Sequence, residues 1–144
     1  MAPEKADSSV KSPVRITIDG RDGVPDASGA YWDIQGPVAQ KPSAIIRVSP
    51  EMGAFQSCTI NVYATSDGQE AGRPWAITDY GAAVQALAPN RPIALARPDG
   101  ATIVAPDGQR ADSIKFESGK TYIALFAVDC AERDYTIKAR FRIG

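Results

Sequence analysis

"SIKFESGKTYIALFAVDCAERDYTIKARFRI", residues 113–143, is the stretch whose reading decides the fold. Ser118-Gly119 separates a first strand-like run from a second, and "AERD" turns the chain into a third. In that third run Tyr135, Ile137, Ala139, Phe141 and Ile143 share one face, while Thr136, Lys138, Arg140 and Arg142 share the other. A period of two is the signature of a half-buried strand. Antiparallel hairpins with one wet face are the units of sandwiches and Greek-key barrels.

The same alternation recurs upstream. "PVRITID" puts Val14, Ile16 and Ile18 on one side of residues 13–19, "AIIRVS" pairs Ile46 with Val48, and "SCTINVYAT" aligns Cys58, Ile60, Val62 and Ala64. Between these runs lie "DGRDG" at 19–23, "SDGQ" at 66–69 and "PDG" at 98–100 and 106–108. Asp-Gly pairs supply the positive φ angles that tight turns need. Residues 93–97 are therefore expected to return through 101–105 as a hairpin. Eleven prolines and twelve glycines punctuate many short segments rather than a few long helices. Only "TDYGAAVQALA", residues 78–88, has the pattern of a short helix, and it also suits a strand. The expected fold is all-β: an antiparallel β-sandwich, immunoglobulin-like or jelly-roll, with about eight strands and at most one short helix. Residues 1–12 form a polar arm and residues 13–144 one domain.

Composition narrows the function classes. The chain has 144 residues, one domain's worth, with 44% hydrophobic and 23% charged residues, an ordinary globular balance. A net charge of −1 and a pI near 5.4 provide no positive field for nucleic acid. The longest mainly apolar run, Tyr122 to Val128, is far short of the roughly 20 residues that span a bilayer, so no membrane insertion is expected. The N-terminal "MAPEKADSSVKSP" lacks an apolar core for a signal peptide, yet reads equally well as an initiator Met on a mature secreted chain.

There is no histidine. That removes Ser-His-Asp and Cys-His nucleophile activation and the imidazole ligands usual at catalytic zinc. No phosphate-binding or dinucleotide-binding glycine motif occurs. Seventeen acids always offer some carboxylate pair, but most sit in turns where Asp bonds its own backbone. The loop bearing Asp19, Asp22 and Asp26 lacks the alternating acids and terminal Glu of an EF-hand and reads as a solvated turn. No catalytic residue, metal or cofactor is therefore expected.

What remains is binding. Tyr31 and Trp32 are adjacent, so on a strand they point to opposite faces. With Trp75 they are candidates for a sugar-stacking platform or for anchors of a protein interface. Lys138, Arg140 and Arg142, joined by Arg15 if the first and last strands are neighbours, could dock an acidic surface or protect an edge strand. Cys58 and Cys130 are the candidate disulfide, worth on the order of 4 kcal/mol and indicative of an oxidising compartment, or else two buried thiols. The leading expectation is a non-enzymatic structural or interaction protein, a subunit or decoration of an extracellular, periplasmic or virion-type assembly with protein partners. The alternative is a secreted or periplasmic ligand-binding module, carbohydrate being one ligand; a cytoplasmic location stays open.

Overall fold

The computed structural model describes residues 14–49, 51, 53–78, 92–98 and 100–144. Its strands are β1 (Val14–Ile18), β2 (Arg21–Pro25), β3 (Trp32–Ile34), β4 (Ser43–Val48), β5 (Phe55–Thr65), β6 (Trp75–Thr78), β7 (Ile93–Ala94), β8 (Thr102–Val104), β9 (Arg110–Ala111), β10 (Thr121–Cys130) and β11 (Asp134–Arg142). The protein is all-β, with no α-helix among the described residues. Residues 79–88 of the candidate helix and the polar arm 1–12 lie outside them, and Thr78 ends β6.

All eleven strands hydrogen-bond into one sheet, in the order β7-β4-β1-β2-β3-β11-β10-β5-β6-β8-β9. The expected count of about eight falls short because β7 and β9 are only two residues long, too brief to show a period. The sheet is also not purely antiparallel. β3 runs parallel to β11, with Trp32 beside Ala139 and Asp33 beside Arg140, and an isolated parallel bridge joins Val38 to Ile143.

β10 is the spine. It pairs from Thr121 to Asp129 with β11 and from Thr121 to Cys130 with β5, and the turn after Cys130 closes the hairpin read from residues 121–142. Inward residues Tyr122, Ala124, Phe126, Val128, Ile137, Ala139 and Phe141 are buried, and Ile123 on the other face of β10 is buried as well. Each large one contributes roughly 1.5–3 kcal/mol by leaving water. Phe116 stands edge-on to Tyr122 at 4.9 Å, and Phe141 lies 5.8 Å from Phe116.

The sheet bends. β1 approaches β11 although β2 and β3 lie between them in the sheet order, a separation of about 14 Å had the sheet been flat. Val14, Ile16 and Ile18 of β1 consequently share one core with Ile60 of β5 and Phe126 of β10. The β1–β2 hairpin that starts the bend is a two-residue turn, Asp19 at φ 51° and Gly20 at φ 76°, the left-handed pair such a turn demands.

Two local expectations are corrected. Residues 93–97 and 101–105 do not pair with each other. β7 joins β4 instead, where Ile93 and Leu95 are buried, and β8 joins β6 and β9. Residues 113–118 are not a strand: Ile114 and Phe116 alternate into the core, but no neighbouring strand ladders with them. Burial with period two is thus possible without a sheet partner.

The disulfide is corrected as well, since Cys58 and Cys130 are both free and buried. Cys58 lies opposite Val128, and Cys130 is two residues further along, past a register shift. Diagonal neighbours across a sheet stand about 7–8 Å apart, beyond the reach of an unstrained bridge.

Candidate functional site

Three of the seven candidate binding residues, Tyr31, Lys138 and Arg140, converge on the outer face, where acids of neighbouring segments hold them. The turn after β2 begins at Asp26, whose carboxylate accepts the Ser28 hydroxyl at 2.7 Å and the Tyr31 N–H at 3.4 Å. That turn delivers Trp32 into the core and Tyr31 to the opposite side, both only 7% exposed. Parallel register sets Arg140 beside Asp33, and its guanidinium takes both carboxylate oxygens, Nε to Oδ1 at 2.6 Å and Nη2 to Oδ2 at 3.1 Å. The same group donates to Asp26 Oδ2 at 3.2 Å and to the Gly68 carbonyl at 2.7 Å, and lies 4.5 Å from the centre of the Tyr31 ring.

Beside it Lys138 meets Glu70 Oε2 at 2.7 Å, and the Tyr31 hydroxyl donates to Glu70 Oε1. Lys138, then the tyrosine hydroxyl, hold the Glu70 carboxyl down to about 2. Glu70 in turn raises both Tyr31 and Lys138 above their ordinary values. A glycosidase acid needs the opposite, a carboxyl pushed up towards neutrality. This cluster is a clasp. It ties the 26–31 turn, β3, the 66–70 loop and β11 together, and its donors and acceptors are spent on one another.

Besides Trp32 in the core, three candidates stay outside it. Arg142 is exposed on β11, and Trp75 packs half-buried against the core. Arg15 is exposed on β1, with two strands between it and β11, and its cross-strand neighbour is Arg47 rather than the basic row of β11. The acidic loop is dispersed too: Asp19 accepts the N–H groups of Ala39 at 2.8 Å and Ser43 at 2.9 Å, while Asp26 belongs to the clasp. Among the described residues no group of three or more His, Cys, Asp or Glu could hold a metal ion.

One feature of the surface is not revealed by the sequence. A groove of about 500 Å³ is lined by Gln40, Lys41 and Pro42 ahead of β4, by Ala94, Ala96 and Arg97 around β7, and by Ser113, Ile114, Lys115 and Phe116. Its walls are held by backbone bonds, Leu95 N–H to the Pro42 carbonyl at 3.0 Å and Ile114 N–H to the Ala96 carbonyl at 2.7 Å. Ile114 and Phe116 are buried at its base, with Phe116 fixed by Tyr122 and Phe141. Lys41, Arg97 and Lys115 are exposed and make no ion pair among the described residues. The described lining residues include no carboxylate; the neighbouring Glu117 pairs with Lys120 at 3.2 Å, and Asp112 is exposed outside the groove. The volume suits a small-molecule site.

No protein-family model, curated protein or solved structure matches the chain. The geometry is the whole basis for a functional reading.

Proposed function

We propose that this chain is a non-enzymatic binding module that works through the groove between residues 40–42, 94–97 and 113–116. One observation carries the reading: separate segments bring Lys41, Arg97 and Lys115 to one groove, and among the described residues its lining holds no acid to neutralise them. The clasp is the contrasting case, since its cations already have their partners. A neutral carbohydrate platform has less support, because Tyr31 and Trp32 are buried. The matching fold reading is a two-layer sandwich of immunoglobulin-like or jelly-roll type, with the bend near β2 and β3 dividing its layers.

Amide chemical-shift mapping tests the proposal, using inorganic phosphate, poly-glutamate and an aromatic sulfonate in turn. Shifts centred on residues 40–42, 94–97 and 113–116 with at least one anion support it. Shifts elsewhere, or none with all three, overturn it.

A second reading, a subunit of a larger assembly, is favoured by the edge of the sheet. β7 covers only Ser43 and Ala44 of β4, so residues 45–48 have no described strand neighbour on that side. Such an edge can accept another chain's strand. Light scattering of the untagged protein over a dilution series checks this: a persistent oligomer supports it, and a monomer at every concentration counts against self-assembly. An extracellular, periplasmic or virion setting is a proposal of the same rank, and the free thiols add nothing to it.

A further inference from the structure

Resting on the groove as the binding site, we infer that its ligand is a small amphipathic organic anion, an apolar body carrying a carboxylate, sulfonate or phosphate. The two halves of that ligand answer two halves of the site. The apolar half comes from Ala94, exposed, and Ala96, half-buried, backed by Ile114 and Phe116, which are only 2% and 4% exposed, and the Glu117 N–H donates to the Tyr122 hydroxyl at 2.9 Å just beyond them. A preformed apolar base accepts an apolar body without reordering side chains of its own, which removes part of the entropic cost of binding. The charged half is met by Lys41, Arg97 and Lys115, with the Ser113 hydroxyl also in the lining.

A bare inorganic anion leaves the apolar base unused. An uncharged apolar compound leaves three cations unanswered. An extended acidic peptide satisfies the charge, but a groove of about 500 Å³ is the size of a compact small-molecule site and fits only a short part of such a chain. Arginine and lysine contribute differently here. Arg97 can take an oxyanion in a two-pronged grip, whereas Lys41 and Lys115 act as mobile point charges, so the site tolerates different anionic groups on one type of body.

The test uses 8-anilinonaphthalene-1-sulfonate as probe and neutral N-phenyl-1-naphthylamine, the same aromatic body without the sulfonate, as its control. Inorganic phosphate and poly-glutamate are titrated alongside. Near-UV circular dichroism establishes that each protein retains its native packing. The expected result is saturable one-to-one binding of the sulfonate, at least about tenfold tighter than the neutral amine, the worth of a few partly exposed charge contacts. Lys41→Gln, Arg97→Gln and Lys115→Gln combined should abolish that preference while leaving the fold intact, because none of the three is in an ion pair among the described residues.

Equal binding of sulfonate and neutral amine overturns the anionic half of the inference. Undiminished sulfonate binding by the triple variant overturns the assignment to these cations. Binding of phosphate or poly-glutamate without the sulfonate overturns the amphipathic class but keeps the groove as a binding site. Silence from every probe removes both.

Discussion

Arg140 gathers two carboxylates, one carbonyl and one aromatic ring on the outer face. Removing it strands Asp26 and Asp33 half out of water without their counter-charge. Arg140→Ala should cost about 2 kcal/mol in urea denaturation, below the range for fully buried pairs because the side chain is 22% exposed. Arg140→Lys should recover little, since one ammonium cannot replace a planar fork on two carboxylates. Glu70 makes the clasp acid-sensitive. Its carboxyl titrates at about 2 in the fold against 4.5 ordinarily, so its contribution is complete above about pH 4.5 and lost as pH falls towards about 2. Glu70→Gln should flatten that part of the stability-versus-pH curve by about 1 kcal/mol after solvent screening, as read from urea midpoints across the acid range. The alternation of residues 135–143 placed Lys138 and Arg140 outward. Their partners were illegible, because Asp33 lies 107 positions away and reaches Arg140 only through a parallel pairing that no local pattern announces.

Turns and strands show the same division between local and distant causes. Asp19 and Gly20 form the β1–β2 turn, and Asp19 also accepts two backbone N–H groups from residues 39 and 43, tying the turn to the start of β4. Asp19→Ala should cost about 2 kcal/mol, combining the loss of aspartate's tolerance for positive φ with two lost acceptor contacts, and Asp19→Asn about half as much. Thermal denaturation of the two variants side by side checks the ranking. The Asp-Gly chemistry was readable because a positive φ is a local demand. The fate of residues 93–105 was not: the turn between them forms, with Ala101 N–H donating to the Pro98 carbonyl, yet the flanks separate to different partners. Burial of Ile93 and Leu95 beside β4 outweighs a short local hairpin.

Over the whole molecule, one core holds together a sheet that is continuous in hydrogen bonding but bent in space. Phe126, at its centre with 0% exposure, should cost about 3–5 kcal/mol as Phe126→Ala, whereas Val24→Ala, 45% exposed, should fall within about 0.5 kcal/mol of the parent by equilibrium denaturation. The thiols belong to this core. Burial, with Cys130 nearby, pushes Cys58 up to about 12, and burial raises Cys130 too. Thiolate is the reactive form, so a thiol reagent should find neither cysteine in the native protein at neutral pH and both after unfolding. Reducing agent should leave the denaturation midpoint unchanged. A midpoint that falls on reduction would mean that the cysteines are bridged in solution.

The sequence by itself determined the all-β class, the inward rows of β1 and β11 and of β5 from Cys58 to Val62, the tight Asp-Gly turns and the opposite fates of Tyr31 and Trp32; Ala64, expected inward on β5, is exposed. Each follows from a period of two or from the φ preference of one or two residues, and both act within a few positions. Only the tertiary structure decided the strand order, the parallel β3–β11 contact, the diagonal offset that keeps Cys58 and Cys130 apart, the clasp around Arg140 and the groove. Those depend on which burial wins among segments tens of residues apart. Lys41, Arg97 and Lys115 carry no shared motif, and a site assembled from unrelated loops has no signature until the chain has folded.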